Sequence, residues 1–287
     1  MLNQEGEDVA RAAAWLLLGV LGGLGLDLCA KELLETYSLV QFVLLRSLIA
    51  IGILLAIAPQ FGGYAALSTK QPWWHFLRTV CAIGAMFGFF FGLAHMPLVN
   101  ALTLGYTAPL IVTALSAMFL RDKVGIRRWG AVVVGFGGVL VMLRPGGGEF
   151  GVAAGAVLAA AFFYACQAIT ARHLGNSEST LSLLFYVVVG PFVAAVMLLD
   201  ADDWTTPDTI GWVLTIVAAT CSVIAWVGFV NSYRAVSPAT LAPIEYVALV
   251  GGAIAGYFFW DEVPDRWVVV GASIIVASGI FVVRRAR

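Results

Sequence analysis

From Ala12 to Val283 the chain alternates between long apolar stretches and short polar loops, and the apolar stretches number ten. In the first half they run over 12–31, 38–58, 73–94, 97–120 and 127–143, and in the second over 151–172, 179–199, 209–232, 238–260 and 266–283. A hydrocarbon layer about 30 Å thick takes about 20 helical residues to cross. The pattern therefore predicts an all-α integral membrane protein with ten transmembrane helices, which together use about 200 residues. Turn sequences such as Gly62-Gly63 and Pro145-Gly146 fall between the spans, where loop chemistry belongs.

Composition sharpens this picture. Hydrophobic residues make up 61% of the chain and charged residues 11%, with a mean hydropathy of +0.94. A soluble domain is about half apolar and about a quarter charged, so no soluble core is expected here. Residues Met1 to Arg11 place Glu5, Glu7 and Asp8 ahead of the first basic residue, unlike a cleavable secretory signal, so the first span is expected to be retained. Cys29, Cys81, Cys166 and Cys221 all lie within apolar spans without CxxC spacing, which predicts neither disulfides nor a zinc site. A net charge of −1, no basic tract and no GxxxxGK[ST] loop argue against nucleic-acid binding and against ATP-driven transport, and no cofactor is expected.

Charge placement predicts a direction. With the amino terminus inside, the inner segments hold Arg11, Lys70, Arg78, Arg121, Lys123, Arg127, Arg128, Arg172, Arg234, Arg284, Arg285 and Arg287. The outer loops hold only Lys31, Arg144 and Arg266, with the acidic group Asp200, Asp202, Asp203 and Asp208, while Arg46 stays within the membrane. Retention of Lys and Arg on the cytoplasmic side then places both termini in the cytoplasm, in a bacterial inner membrane.

Sliding the chain by 140 positions superposes Cys81 on Cys221, Gly88 on Gly228, Tyr106 on Tyr246, Phe119 on Phe259 and Asp122 on Glu262. After one inserted residue Gly130 meets Gly271 and Gly138 meets Gly279. The chain reads as two five-helix halves, 1–145 and 146–287. Five being odd, the second half enters from the opposite side, as in the inverted repeats of secondary transporters, whose substrate site lies at mid-depth between the halves.

The stretch Arg78 to Pro145, which ends GYTAPLIVTALSAMFLRDKVGIRRWGAVVVGFGGVLVMLRP, resembles the first-half signature of the EamA-type branch of the drug/metabolite transporter superfamily. The second half repeats it from Tyr233-Arg234-Ala235 through Pro238 to Trp260-Asp261-Glu262 and the glycine-bearing last helix, so the resemblance covers essentially the whole chain. It implies a ten-helix carrier with cytoplasmic termini, a central cavity between helices 1 to 4 and 6 to 9, and helices 5 and 10 set to one side. It also implies substrates among amino acids, nucleosides, organic cations and other metabolites, with a leaning toward S-adenosylmethionine or general metabolite carriers. Where such proteins usually end helix 4 with Gly-Glu, this chain has Arg121-Asp122.

Ionisable side chains at membrane depth cost at least about 2.5 kcal/mol, so they face a cavity, a partner or both. Asp27, Arg46 and Glu245 qualify. Arg46 either grips a substrate carboxylate or phosphate or pairs structurally with Asp27 on the adjacent helix. Glu245, on a face of small residues, is either a proton carrier or a neutral structural acid. Asn100, Thr103 and Thr107 form a polar stripe on helix 4 ahead of Pro109, which interrupts the backbone ladder. Tyr164 and Gln167, the latter the repeat counterpart of Asp27, sit one turn apart on helix 6. With Trp15, Tyr106, Tyr186, Trp226 and Tyr246 these complete the pool for a substrate pocket, in which aromatic rings hold planar or cationic groups.

Glycines of helix 1 predict close helix packing, and those of helices 5 and 10 either pack together or form a homodimer face. His75 and His95 are expected at the interfaces, without metal-ligand spacing. The function expected is a secondary carrier of a small metabolite, driven by a proton or counter-substrate gradient. A membrane enzyme acting on lipid-linked substrates lacks His or Cys in the longest outer loop, and a channel or scramblase lacks a continuous polar stripe.

Overall fold

In the computed structural model the described residues are 2–119, 124–144, 151–174, 177–235 and 244–284, with side chains described from Ala10 onward except at 172, 173, 230, 233–235, 283 and 284. The elements are α1 (Leu2–Thr36), α2 (Leu39–Ile57), α3 (Pro72–His95), α4 (Leu98–Gly105), α5 (Ala108–Phe119), α6 (Ile126–Leu143), α7 (Gly151–Leu174), α8 (Thr180–Leu198), α9 (Thr209–Ala235), α10 (Val247–Trp260) and α11 (Arg266–Arg284). Among the described residues eight helices are long and apolar enough to cross a membrane, and 247–260 and 266–282 are shorter apolar helices, so the protein is a multi-pass helical membrane protein. The Arg121-Asp122 pair, the Pro145-Gly146 turn, Pro238 and Pro243 lie outside the described residues.

Helices dominate because lipid offers no hydrogen bonds, so each span must satisfy its own backbone. Their starts follow the local chemistry. Ser38 accepts from the Gln41 amide at the head of α2, and Ser179 accepts from the Ser182 amide at the head of α8. Pro72, which has no amide to leave unpaired, opens α3. Arg144 and Asp261 end α6 and α10 in the left-handed region, at φ 44° and 51°.

Two expected spans differ from a plain rod. Helix 1 continues to Thr36 rather than ending at 31, which puts Lys31 inside it. Helix 4 is broken: α4 ends at Gly105 and α5 starts at Ala108, with Thr107 N–H donating to Leu104 at 3.1 Å in place of a regular helical bond. Thr107 Oγ1 caps the same carbonyl at 2.6 Å, and Pro109 has no amide to carry the ladder across the break. A second break stands at Tyr246, just before α10. Tyr106 and Tyr246 are counterparts at the 140-residue offset.

Packing follows the same exchange. α1 lies along α9 and α3 along α7, and the offset turns one pair into the other. α2 with α8, and α6 with α11, are pairs that the exchange maps onto themselves. The crossings are close because they are glycine-lined. A Cβ on Gly228 would sit 2.6 Å from the Gly19 Cα and the Trp15 carbonyl oxygen, and one on Gly138 would sit 2.9 Å from the Gly271 carbonyl oxygen. Of the glycines of helices 5 and 10, Gly135, Gly138 and Gly271 pack against the partner helix, Gly279 faces the Tyr246 hydroxyl and Gly130 has open space beside it. Outward faces carry Val133, Leu140, Val196, Val269 and Phe281, exposed apolar side chains suited to lipid.

Because the atoms that a new side chain would meet at Gly228 are backbone, no rotamer change relieves the clash. Gly228→Val is expected to lower the thermal midpoint of the purified protein, with a loss at or above the about 1–3 kcal/mol typical of overpacking. An unchanged midpoint would show that α1 and α9 do not cross here.

Candidate functional site

The two helix breaks open onto a cavity of about 370 Å³, within the size range of small-molecule sites. Its walls come from both halves: Asp27 on α1, Arg46 on α2, Met86 and Phe89 on α3, Tyr106 and Pro109 at the first break, Tyr164 and Gln167 on α7, Trp226 and Phe229 on α9, and Glu245 beside the second break. The breaks are tied to each other. Tyr106 donates its hydroxyl proton to the Glu245 carbonyl at 2.6 Å, and its ring lies 5.2 Å from that of Tyr246.

Arg46 is the most constrained group of the site. It is 2% exposed, its Nη2 donates to Ser47 Oγ at 3.3 Å and to Met86 Sδ at 3.2 Å, and its Nε has no partner. Neither contact supplies negative charge. The expected structural pair with Asp27 is not formed: among the described residues no ion pair joins them, and each faces the cavity instead. The α1–α2 turn brings both side chains to a similar depth without bringing them into contact.

Of the residues selected from sequence, Asp27, Arg46, Tyr106, Tyr164, Gln167, Trp226 and Glu245 converge on this cavity. The rest do not. Leu102, Gly105, Tyr106 and Pro109 form the cavity face of the broken helix, which turns the stripe of Asn100, Thr103 and Thr107 away from it. Asn100 lines a separate pocket of about 330 Å³ with Arg144, Glu262 and Asp265. Thr103 is fully buried with its hydroxyl unpartnered, and Thr107 is used in the break itself. Trp15 is 37% exposed and off the cavity. Tyr186 packs its ring 4.5 Å from His75, and Tyr246 is buried with its hydroxyl against Gly279.

Polar seams join the two halves on either side of the cavity, and sequence reading missed them. On the face where α1 meets α2, Tyr37 Oη donates to Asp208 at 3.3 Å, and Gln41 donates its side-chain amide proton to the Thr205 carbonyl at 2.5 Å while accepting from the Thr205 amide at 3.0 Å. Deeper on that face Lys31 pairs with Glu262 at 2.7 Å, and Glu262 also accepts from the Leu98 amide at 2.7 Å.

On the opposite face Glu178 accepts from the Thr69 hydroxyl and the Lys70 amide, both at 2.9 Å, and lies 3.5 Å from His75 Nε2. Gln71 donates to Ser177 Oγ at 2.6 Å, and Arg78, 4% exposed, donates to the Gln167 carbonyl at 2.7 Å. The 140-residue offset maps residues 37–41 and 205–211 onto the neighbourhoods of 177–181 and 65–71, so the first seam and this one are equivalent. Lys31 read as a loop charge because span 1 was expected to end at it, whereas Arg78, inside span 3, was counted only as an inner-side charge. No sequence signal pairs Glu178 with Thr69.

Burial alone raises the Glu178 carboxyl's pKa, but the Lys70 amide, the Thr69 hydroxyl and His75 outweigh it and hold it below its ordinary value. A carboxyl with a depressed pKa in the folded state contributes stability above its unfolded pKa, about 4.3, and loses it as pH falls through the folded value. Glu178→Gln is therefore expected to lower the thermal midpoint at neutral pH and at pH 5, with the gap to the unmodified protein closing below about pH 4. A gap that stays constant down to pH 3 would contradict this assignment.

The EamA-like transporter family model matches the chain twice, over residues 10–144 and 151–284. Among curated proteins, a riboflavin transporter of Vibrio cholerae is 28% identical, covering 95% of this chain and 92% of its own. An S-adenosylmethionine uptake transporter of Rickettsia prowazekii is 28% identical over 98% of this chain and 95% of its own, and a pseudopaline exporter of Pseudomonas aeruginosa is 27% identical over 90% of both. A crystal structure of a protein at 17% identity superposes with a TM-score of 0.66, covering 94% of this chain and 95% of its own, a likeness of fold.

Proposed function

From the premise that the chain belongs to the EamA-like transporter family and is a transporter of small metabolites, we propose that it is a secondary carrier working by alternating access. A small polar metabolite of the amino-acid-like, nucleoside or organic-cation class binds in the 370 Å³ cavity, and the halves 1–145 and 146–287, inserted in opposite directions, rock about it. An uptake carrier for S-adenosylmethionine is the alternative, supported by relatives of that name at 26% to 28% identity. The Lys and Arg distribution supports an inner-membrane location with both termini cytoplasmic. A homodimer through α6 and α11 has Gly130 and the outward apolar side chains available to it, since Gly135, Gly138 and Gly271 are packed within the chain.

One observation carries the reading: an almost fully buried guanidinium with an unpartnered Nε, held on the wall of a cavity that both halves build. In this reading a substrate carboxylate or phosphate supplies the negative charge that neither Ser47 nor Met86 gives Arg46. Asp27, Tyr106, Tyr164, Gln167, Trp226 and Glu245 complete the proposed substrate contacts. An enzymatic reading finds less support, since the family and the named relatives are transporters.

Counterflow in proteoliposomes, following a screen of metabolites by thermal stabilisation, tests the assignment. Arg46→Ala is expected to lower transport at least about tenfold, the loss of one charge-assisted contact, while the protein still folds. Undiminished transport would remove Arg46 from the site. Glu245→Gln is expected to abolish transport driven by a pH gradient and to spare substrate exchange, and unchanged pH-driven uptake would exclude Glu245 as a proton carrier.

A further inference from the structure

We propose that the pocket of about 330 Å³ beside α4 is a second ligand site for a small uncharged molecule with an amide-like edge, whose occupant holds the two halves together on the face where α1 meets α2. Among the described residues none lines both this pocket and the central cavity. α4 is the partition between them: Leu102 and Gly105 face the cavity, while Val99, Asn100 and Leu104 face the pocket. The rest of the wall is the end of α6 at Met142 to Arg144 and the turn from Glu262 to Asp265 that leads into α11.

The Asn100 side chain points to a ligand. The residue is 6% exposed, its backbone amide donates to the Pro97 carbonyl at 3.0 Å, and its carboxamide has no hydrogen-bond partner among the described residues. A carboxamide offers two donors and an acceptor oxygen. Burying such a group without partners is costly, so the occupant of the pocket is expected to meet it.

The charges around the pocket are already matched. Glu262 pairs with Lys31 at 2.7 Å and accepts from the Leu98 amide at 2.7 Å. Arg144 pairs with Asp265, which also accepts from the Trp267 and Val268 amides at 2.8 and 2.9 Å. An anionic ligand has to take Arg144 from Asp265 while facing two carboxylates, and a cationic one has to draw a carboxylate from its donors. An uncharged edge that carries donor and acceptor side by side, such as that of a primary amide or a lactam, disturbs neither pair and answers Asn100 with two parallel hydrogen bonds. Val99, Leu104, Met142 and Val268 supply an apolar wall for the rest of the molecule.

Occupancy acts on the halves because the wall belongs to both and shares Glu262 with the contacts that join them. Lys31 and Glu262 tie α1 to the turn between α10 and α11, and Glu262 also holds the first amide of α4. A ligand that bridges α4 and α6 to that turn binds while the halves are together there, and it shifts the population toward that conformation. Binding stands apart from the carrier assignment above, and only the slowing of transport rests on it.

Ligand-observed NMR titration of the full-length protein in lipid nanodiscs tests the site with four probes of one shape. Benzamide carries donor and acceptor, acetophenone an acceptor alone, benzoate a negative charge and benzamidine a positive one. Benzamide is expected to bind at least about fivefold more tightly than each of the others, one net hydrogen bond being worth about that factor. Asn100→Leu, of similar volume, is expected to erase the preference. Asn100→Gln keeps the carboxamide and guards against a variant that fails to fold: the ranking of probes is expected to persist at lower affinity. Arg46→Ala, on the central cavity, is expected to leave benzamide affinity unchanged.

Benzamide that does not bind saturably leaves Asn100 to water alone and would overturn the proposal. So would four equal affinities, a preference for a charged probe, a lost ranking in folded Asn100→Gln, or benzamide binding that survives Asn100→Leu and falls with Arg46→Ala. In proteoliposomes, benzamide at its Kd is expected to slow counterflow of a metabolite found by the thermal screen about twofold, since about half the molecules are then held. Asn100→Leu is expected to be insensitive to it. Counterflow that bound benzamide does not slow would overturn the hold on the two halves, whereas no counterflow with or without benzamide would overturn the carrier reading alone.

Discussion

Inside a bilayer an interrupted helix is permitted only where protein or a water-filled cavity takes up the freed backbone groups. This chain interrupts its helices at Tyr106 and Tyr246, places the two breaks in ring contact 5.2 Å apart, and builds its cavity around them. The rest of the architecture serves those breaks. Thr107 and Pro109 create the first one from local chemistry, and the Tyr106 hydroxyl satisfies a carbonyl at the second. Long unbroken helices, α1 with α9 and α3 with α7, cross closely at glycines, and each of the four contributes to the cavity wall.

Charge then gives the cavity its chemistry. The outer surface is apolar, so the cost of Arg46 and Asp27 at depth is met only on the inside, where they face the void and not each other. Equivalent polar seams flank this region on both faces, one through Tyr37, Gln41, Thr205 and Asp208, the other through Thr69, Lys70, Gln71, Ser177 and Glu178. Such seams are networks of modest hydrogen bonds, each worth about 1 kcal/mol net, and a carrier can break them on one face at a time.

Much of this was legible in the sequence because membrane depth makes polarity expensive. Asp27, Arg46 and Glu245 stood out for that reason alone, and all three face the cavity. The spans and the 140-residue repeat were legible from hydropathy and spacing. The stripe of Asn100, Thr103 and Thr107 misled because helical periodicity marks a polar face without saying what it faces, and because Thr107 belongs to the break rather than to the helix. Trp15 and Tyr186 were chosen by residue type, and type does not distinguish a cavity wall from a lipid face or a seam. Lys31 was hidden by a span end placed five residues short, Arg78 was counted only for its charge and not for a partner, and the partners of Glu178 lie 103 to 109 residues away, beyond any local signal.

The central claim is that the two seams open alternately about one site. Double electron–electron resonance in lipid nanodiscs reads it directly, with spin-label pairs at 37 and 208 on one face and at 71 and 177 on the other. The account predicts reciprocal populations, in which widening of one distance accompanies a short distance on the opposite face and added substrate shifts the balance between them. Distances that stay fixed on both faces, or that widen together, would contradict it.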